Sequence, residues 1–173
     1  MNFLIVLLAM ITAIPEDGSL LFIENGNKTV QKVTDSNLTH VAIIFKENEK
    51  FYVYEAVPPK VRKIELDEYY KEIEKLNKRH KNNQRKVWFA YPNKPFSDAE
   101  KEKMIDFLNL QIGRKYSVSS YLNAESNKKI HCGELVEEAL NKAGYSVSKK
   151  PCVDAPIDVW NNTKKIYDKR NLK

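Results

Sequence analysis

Two apolar runs rich in β-branched and aromatic residues, separated by a short polar stretch, constrain the fold of this chain most strongly. The runs are Val41–Phe45 and Phe51–Val57, and only the polar residues 46–50 lie between them. Runs of this composition and spacing predict two antiparallel strands joined as a hairpin. The second strand is expected to end at Pro58.

The rest of the chain mixes strand and helix patterns. Strands are expected at residues 19–23, before the turn signal Asn25-Gly26, and at 86–91; helices are expected at 66–80, from the capping box at 97 toward 113, and from about 132 to 143. Because the strands and helices do not alternate regularly, the predicted fold class is α+β rather than doubly wound.

The length of 173 residues suits one domain with a substantial hydrophobic core. Residues 3–14 form an uncharged apolar run, too short for a membrane helix of about 20 residues but long enough for the core of a signal peptide. No Lys or Arg precedes the run, so a buried strand or helix is the alternative. We expect a signal peptide over 1–13, a globular domain over 16–163, a basic tail over 164–173, and export to the periplasm, cell envelope or medium.

The formal net charge of +6 lies outside the first 15 residues. The Lys and Arg residues are interleaved with Asp and Glu, and no basic stretch carries stacking aromatic residues, so a nucleic-acid partner is not expected. A basic exported protein suits an anionic envelope polymer or a lipid surface. The sequence does not predict an oligomeric state.

The chain has two cysteines, Cys132 and Cys152. Cys132 opens a helical pattern, where free backbone amides and the positive end of the helix dipole stabilise a thiolate and lower the thiol pKa. The same amides can stabilise the oxyanion of a tetrahedral intermediate. Cys152 lies in a loop after Pro151, which favours Cys132 as a nucleophile; a Cys132–Cys152 disulfide is the alternative in an exported protein.

A thiolate nucleophile needs a base, and the chain has three histidines. His80 is expected at an exposed helix end, and the side chain of His131 diverges from that of its neighbour Cys132. His40, at the start of the first hairpin strand, is the remaining candidate. A zinc site built from the histidines and cysteines is an alternative, but no Cys-x-x-Cys or His-x-x-x-His spacing accompanies them, and no cofactor is expected.

Hairpin geometry relates Glu55 to His40. If residues 46–49 form a four-residue loop, Phe45 pairs with Lys50, and His40 lies directly opposite Glu55 with Cβ atoms about 5 Å apart. Glu55 can then orient the imidazole as the third member of a nucleophile-base-acid triad. A plain edge-strand carboxylate is the alternative, and a register change of one residue would put the two side chains on opposite faces.

Five short motifs resemble, in order and spacing, those of YiiX-like proteins. They are Gly18-Ser19-Leu20-Leu21-Phe22, Thr39-His40-Val41-Ala42-Ile43, Tyr54-Glu55-Ala56, Gly113-Arg114-Lys115-Tyr116 and Cys132-Gly133-Glu134-Leu135-Val136. YiiX-like proteins belong to the circularly permuted branch of the NlpC-type papain-like cysteine peptidases, with lecithin retinol acyltransferase as a more distant member. The resemblance spans about residues 16–160 and implies a permuted papain-like domain over 16–163, with a small antiparallel sheet packed against helices.

The resemblance also implies roles for individual residues. It makes Cys132 the nucleophile at the start of a late helix, His40 the general base on an earlier strand and Glu55 the polar third residue. Tyr116 is expected near the nucleophile as a pocket wall or hydroxyl donor. Such proteins usually have Cys-Ser-Glu-Leu-Val, whereas this chain has Gly133, which costs helix propensity. Gly133 either opens space beside the nucleophile, at the oxyanion site, or reflects relaxed selection.

The predicted activity is thiol-dependent hydrolysis of an amide or peptide bond through a thioester, with a cell-envelope peptide as the expected substrate. One alternative is a lipid acyl hydrolase or acyltransferase of the same fold, which needs an apolar channel with Tyr121 and Leu122 as candidate wall residues. Another is a catalytically silent module that binds lipid or peptide. The presence of Cys132, His40 and Glu55 together favours an enzyme, because a binding module does not need all three.

Overall fold

A computed structural model of the protein describes residues 14–81, 84–119 and 128–170. Of Arg170, only the backbone is described. The expected signal peptide over 1–13 and the candidate wall residues Tyr121 and Leu122 lie outside the described residues. Among the residues described, no helix is long and apolar enough to cross a membrane.

Six strands form one antiparallel sheet in the described part of the chain. They are β1 (Ser19–Glu24), β2 (Leu38–Glu47), β3 (Lys50–Val57), β4 (Lys60–Glu65), β5 (Lys86–Pro92) and β6 (Tyr167–Arg170). Their order across the sheet is β4-β3-β2-β1-β5-β6, and every neighbouring pair is antiparallel. The expected antiparallel sheet is therefore confirmed.

Helices cover both faces of this sheet. The described helices are α1 (Lys28–Thr34), α2 (Leu66–Arg79), α3 (Asp98–Gln111), α4 (Cys132–Lys142) and α5 (Pro156–Thr163), with a 3₁₀ turn at Pro151–Val153. Strand side chains alternate between two apolar clusters, one containing residues of α2 and the other residues of α3, α4 and α5. The α+β class and the helices expected at 66–80, 97–113 and 132–143 are confirmed.

The hairpin between β2 and β3 has a tighter turn than expected. Asn48 and Glu49 alone form it, with φ values of 48° and 65°, in a left-handed conformation of the kind that two-residue hairpin loops require. Glu47 consequently pairs with Lys50. The expected four-residue loop is wrong, because nothing in the composition of residues 46–49 marks Glu49 as a left-handed residue.

The tighter turn moves the register by two residues. Phe45 pairs with Tyr52 rather than Lys50, so His40 and Glu55 are not directly opposed. Side chains alternate with a period of two, however, and a two-residue change leaves both on the same face of the sheet as diagonal neighbours.

Four elements were not predicted from the sequence: α1, β4, α5 and β6. Strand β4 resumes directly after Pro58-Pro59 and pairs with β3. Residues 164–173, expected to be a basic tail, contain β6, which pairs with β5 at the sheet edge. Residues 167–170 are thus part of the sheet, and the expectation of a tail is wrong for them.

Tyr167 attaches β6 to the start of β1. Its side chain is 1% exposed, and its hydroxyl donates a 2.8 Å hydrogen bond to the carbonyl oxygen of Gly18. Gly18 has a φ of +77°, and a Cβ added there would lie 2.4 Å from the ring of Phe96. The edge strand is therefore anchored to a tightly packed, glycine-specific position.

The change Tyr167→Phe is expected to lower the free energy of unfolding by about 1–3 kcal/mol, because the buried Gly18 carbonyl loses its donor. Urea denaturation measures this difference. Tyr70→Phe is the matched control, since the half-buried Tyr70 hydroxyl makes no hydrogen bond to the described residues, and its expected effect is below about 0.5 kcal/mol. Equal effects of the two changes would contradict the anchoring role of Tyr167.

Candidate active site

Cys132 is the first residue of α4 and is fully buried. The helix begins here because His131 caps it: the His131 Nδ1 atom accepts a hydrogen bond from the Glu134 N–H at 3.2 Å. The backbone N–H groups of Val41 and Gly133 lie near the Cys132 sulfur and help to lower the pKa of its thiol. Donors at the positive end of a helix stabilise a thiolate more than a thiol.

The His40 imidazole links Cys132 to Glu55. Its Nε2 atom lies 2.6 Å from the Glu55 Oε2 atom, and the ring also interacts with the Cys132 side chain. Burial alone would lower the pKa of His40, but the hydrogen bonds and charges of Cys132 and Glu55 raise it to about 10. The ring is therefore protonated at neutral pH.

The Cys132 thiol shows the complementary effect. Burial raises its pKa, but the hydrogen bond and charge of His40, together with the two backbone N–H donors, lower the pKa below its usual value of 9.0. Each charged group stabilises the other, so the two protons belong to a coupled pair. The raised pKa of His40 and the lowered pKa of Cys132 both favour the ionised form of this pair, an imidazolium beside a thiolate.

Glu55 is 2% exposed, and other side chains keep it ionised. The Arg62 Nε–H donates to its Oε1 atom at 2.8 Å, and the buried Tyr69 side chain lies near it. Burial raises the pKa of Glu55, whereas the hydrogen bond and charge of His40 and the charge of Arg62 lower it overall. Sequence reasoning missed Arg62 because β4, which carries it, was not predicted.

Tyr116 also lies close enough to Cys132 for their charges to interact. Burial and the negative charge of Cys132 raise the pKa of the Tyr116 hydroxyl, which therefore stays protonated. Tyr116, His40 and Glu55 line a cleft of about 160 Å³, whereas Cys132 does not line it. A small group in this cleft would meet the imidazole and the phenol first.

Gly133 does not open space beside the sulfur. A Cβ at this position would lie 2.2 Å from the carbonyl oxygen of Asp154 and 3.2 Å from the Cγ2 atom of Val159. The residues after the 3₁₀ turn therefore pack directly against the helix start, and the expectation of open space is wrong. The suggested part of Gly133 in an oxyanion site stays a prediction.

The two other histidines are not placed to act as the base. His131 is fully buried; its Nε2–H donates to the Cys152 carbonyl at 2.9 Å, and burial lowers its pKa to about 4 despite that hydrogen bond and the charge of Asp154. His80 is exposed at the end of α2. Neutral His131 thus uses both ring nitrogens to hold the start of α4.

Cys152 is buried and, like Cys132, is a free cysteine, so the disulfide alternative is not realised. Burial raises its thiol pKa, the opposite of the shift at Cys132. Within residues 14–81, 84–119 and 128–170, no three His, Cys, Asp or Glu side chains form a group able to hold a metal ion. The zinc alternative therefore has no site among these residues.

The family of permuted papain-like amidase enzymes, YaeF/YiiX, C92, matches residues 15–159 of this chain. The chain belongs to this family. The metalloprotein YiiX from Escherichia coli O157:H7 has a similar crystal structure, with a TM-score of 0.61 and 21% sequence identity over 87% of this chain and 83% of that one. No curated protein is significantly similar in sequence.

Membership in the C92 family confirms the resemblance to YiiX-like proteins and the permuted papain-like fold. In agreement with the permutation, His40 on β2 precedes Cys132 at the start of the late helix α4. The family is an amidase family, which indicates that the protein is an enzyme. The word metalloprotein describes the E. coli protein only.

Replacing His40 with Ala should raise the pKa of the Cys132 thiol above 9.0, because burial, the largest influence on it, remains while the main opposing one is lost. At neutral pH the rate of alkylation by iodoacetamide should fall by at least about tenfold, as one pKa unit changes the thiolate fraction tenfold. The rate is measured as a function of pH in a Cys152→Ala background. An unchanged pH profile would contradict the ion pair.

Gly133→Ala tests whether propensity or packing decides this position. Helix propensity alone predicts a stabilisation of up to about 1 kcal/mol. The 2.2 Å approach to the Asp154 carbonyl predicts instead a destabilisation of about 1–3 kcal/mol, because backbone has to move. Urea denaturation measures the sign of the change in the free energy of unfolding. A stabilised variant would show that the backbone at Asp154 moves at little cost and that helix propensity dominates.

Proposed function

We propose that the protein is a thiol-dependent amidase in which Cys132 attacks the carbonyl carbon of an amide or peptide bond. His40 transfers the protons, and Glu55 holds the imidazole in place. The observation that carries this proposal is the buried chain of contacts from the Cys132 sulfur to the His40 ring and from its Nε2 atom, over 2.6 Å, to Glu55.

In the first half of the proposed reaction, the Cys132 thiolate forms a bond to the carbonyl carbon and the carbonyl oxygen becomes an oxyanion. The intermediate collapses when the His40 imidazolium gives its Nδ1 proton to the leaving nitrogen and the C–N bond breaks. An amine leaves, and the acyl group remains as a thioester on Cys132. A protonated His40 is the right partner for this step, since it acts as a general acid.

In the second half, neutral His40 takes a proton from a water molecule, and the resulting hydroxide attacks the thioester carbon. The C–S bond breaks, the carboxylic acid product leaves, and thiolate and imidazolium are restored. Glu55 stabilises the imidazolium throughout and fixes the ring orientation, which is the role of the acid in such triads.

The oxyanion needs hydrogen-bond donors. The backbone N–H of Cys132, at the start of α4, and the Tyr116 hydroxyl are the candidates near the sulfur. The raised pKa of Tyr116 supports this role, because a phenol that stays protonated can donate. A single donor of this kind typically contributes about 10²–10³ in turnover.

Membership in an amidase family favours a peptide or amide over a lipid ester as the substrate. We propose an exported enzyme that acts on cell-envelope peptides; the basic composition, with a net charge of +6, supports an anionic envelope polymer as its neighbour.

Turnover of a fluorogenic peptide amide is expected for the wild type, and Cys132→Ala should abolish it. Labelling with a thiol-directed acyl probe should occur at Cys132, persist below neutral pH and be lost in this variant. Cys152→Ala is the matched control, because it removes the other buried thiol and should leave turnover and labelling intact.

Labelling of Cys152 in preference to Cys132 would overturn the assignment of the nucleophile. Cleavage of an acyl ester lipid without cleavage of any peptide amide would favour the lipid-acting alternative. Binding of a peptide that is unaffected by Cys132→Ala, with no turnover in the wild type, would favour a silent binding module.

A further inference from the structure

Glu137, on the same helix as Cys132, is a buried ionisable group that the proposed reaction does not use. Its side chain is 0% exposed. Its Oε1 atom accepts a 2.8 Å hydrogen bond from the Asn162 Nδ2, while its buried Oε2 atom receives no hydrogen bond from any N–H or O–H donor among the described residues. An ionised carboxylate in this setting would lose its solvation without compensation.

The neighbouring Asp154 explains how Glu137 can be buried with its Oε2 atom unpaired. The Asn162 Nδ2 atom that donates to Glu137 also donates to Asp154 Oδ2, so the two carboxyl groups are neighbours. Two neighbouring carboxyl groups can form a hydrogen bond only when they share a proton. Asp154 already accepts hydrogen bonds from the Ser148 hydroxyl and from the Asn162 amide at 3.3 Å. Because the buried Glu137 Oε2 atom has no other donor, we assign the shared proton to Glu137.

The charges around Glu137 agree with this arrangement. The acidic groups that face it are Asp154, from the residues after the 3₁₀ turn, and Asp158, from α5. No Lys, Arg or His of the described residues forms an ion pair with it. Burial, followed by the bond to Asp154 and the charges of both acids, raises the pKa of Glu137 to about 9, although Asn162 acts in the opposite direction.

Asp154 belongs to a segment, residues 151–155, that also contacts the start of α4. The Cys152 carbonyl accepts the His131 Nε2–H at 2.9 Å. The Asp154 carbonyl packs against Gly133 so closely that a Cβ there would lie 2.2 Å away. The 151–155 segment thus contacts the residues on both sides of Cys132. Through Asp154, the same segment also meets Glu137, further along α4.

We propose that Glu137 is a positioning residue whose proton, shared with Asp154, holds the 151–155 segment against the start of α4 and thereby fixes the backbone around Cys132. When Glu137 loses this proton at alkaline pH, two carboxylates face each other and the segment is pushed away from Gly133 and His131. The Gly133 N–H then moves away from the sulfur and stabilises the thiolate less. This inference rests on the proposed function for its catalytic consequence, but not for the shared proton.

The shared proton can be tested without any substrate. Infrared difference spectra between wild type and Glu137→Gln should show, at neutral pH, the C=O stretch of a protonated carboxylic acid that disappears in the variant. Glu138→Gln is the matched control, because Glu138 is the next residue on the helix and is not part of the acid pair. Absence of the protonated-acid band from the wild type at neutral pH would overturn the proposal.

The coupling to Cys132 is tested by the pH dependence of its alkylation by iodoacetamide, in a Cys152→Ala background. The wild-type rate should fall, by severalfold, as pH rises through about 9. In Glu137→Gln the amide donates to Asp154 at every pH, so neutral-pH reactivity should be kept and this alkaline decline should disappear. Glu138→Gln should behave as wild type.

The pH dependence of folding stability tests the shared proton independently. A carboxyl group with a raised pKa binds its proton more tightly in the folded state, so its contribution to stability falls as pH rises from its unfolded value of about 4.5 to about 9. The urea midpoint of the wild type should therefore fall relative to that of Glu137→Gln over this range. Parallel pH curves for the two proteins would overturn the proposal.

The outcomes also separate this inference from the proposed function. If Cys132 is unreactive at every pH but the protonated-acid band is present, the amidase proposal fails and the acid pair stands. If Cys132 reacts and turns over amides, but Glu137→Gln keeps the alkaline decline, the positioning role of Glu137 fails and the amidase proposal stands.

Discussion

The candidate site depends on charges that compensate one another away from water. A line of alternating charge runs from the Cys132 thiolate through His40 and Glu55 to Arg62, which forms a two-bond contact with Glu72. The line begins at a fully buried sulfur and ends at a carboxylate that is 47% exposed. Each inner charge alone would be strongly disfavoured, and removing one partner from such a buried pair typically costs about 3–5 kcal/mol. Reactivity at Cys132 is thus tied to the integrity of the three strands β2, β3 and β4 and the two helices α2 and α4.

Part of this arrangement could be read from the sequence, because it depends on local periodicity. Helix α4 was predicted from its apolar face, and that prediction placed Cys132 at a helix start. The contact between His40 and Glu55 follows from the hairpin even though the expected loop length is wrong. A side chain changes face only when the register moves by an odd number of residues. The two-residue error at Asn48-Glu49 therefore left both side chains on the same face. A one-residue error would have separated the two side chains.

The remainder depends on contacts between segments distant in the chain, which periodicity does not encode. Arg62 holds Glu55 only because β4 turns back on β3 after Pro58-Pro59, a pair that by composition ends a strand. The close approach to Gly133 is made by Asp154, 21 residues further along the chain, and is set by the position of the 151–155 segment. From the sequence, only the helix propensity of Gly133 can be assessed, and it predicts that a larger residue would stabilise the helix. The structure predicts the opposite, because backbone occupies the space that a Cβ would need.

Helix α4 shows what this positioning requires. Its N-cap and first two turns bury the polar side chains of His131, Glu134 and Glu137, each at most 2% exposed, in a helix that otherwise packs apolar residues against the sheet. A protein with apolar residues of similar volume at these positions would often be at least as stable, because burying polar or charged groups costs solvation that their contacts in the protein often only offset. The polar side chains instead direct hydrogen bonds: His131 fixes the first turn and the Cys152 carbonyl, and Glu137 meets Asp154. Their burial is therefore better explained by the placement of Cys132 than by the stability of the helix, as expected where local rules of core composition are broken beside a functional site.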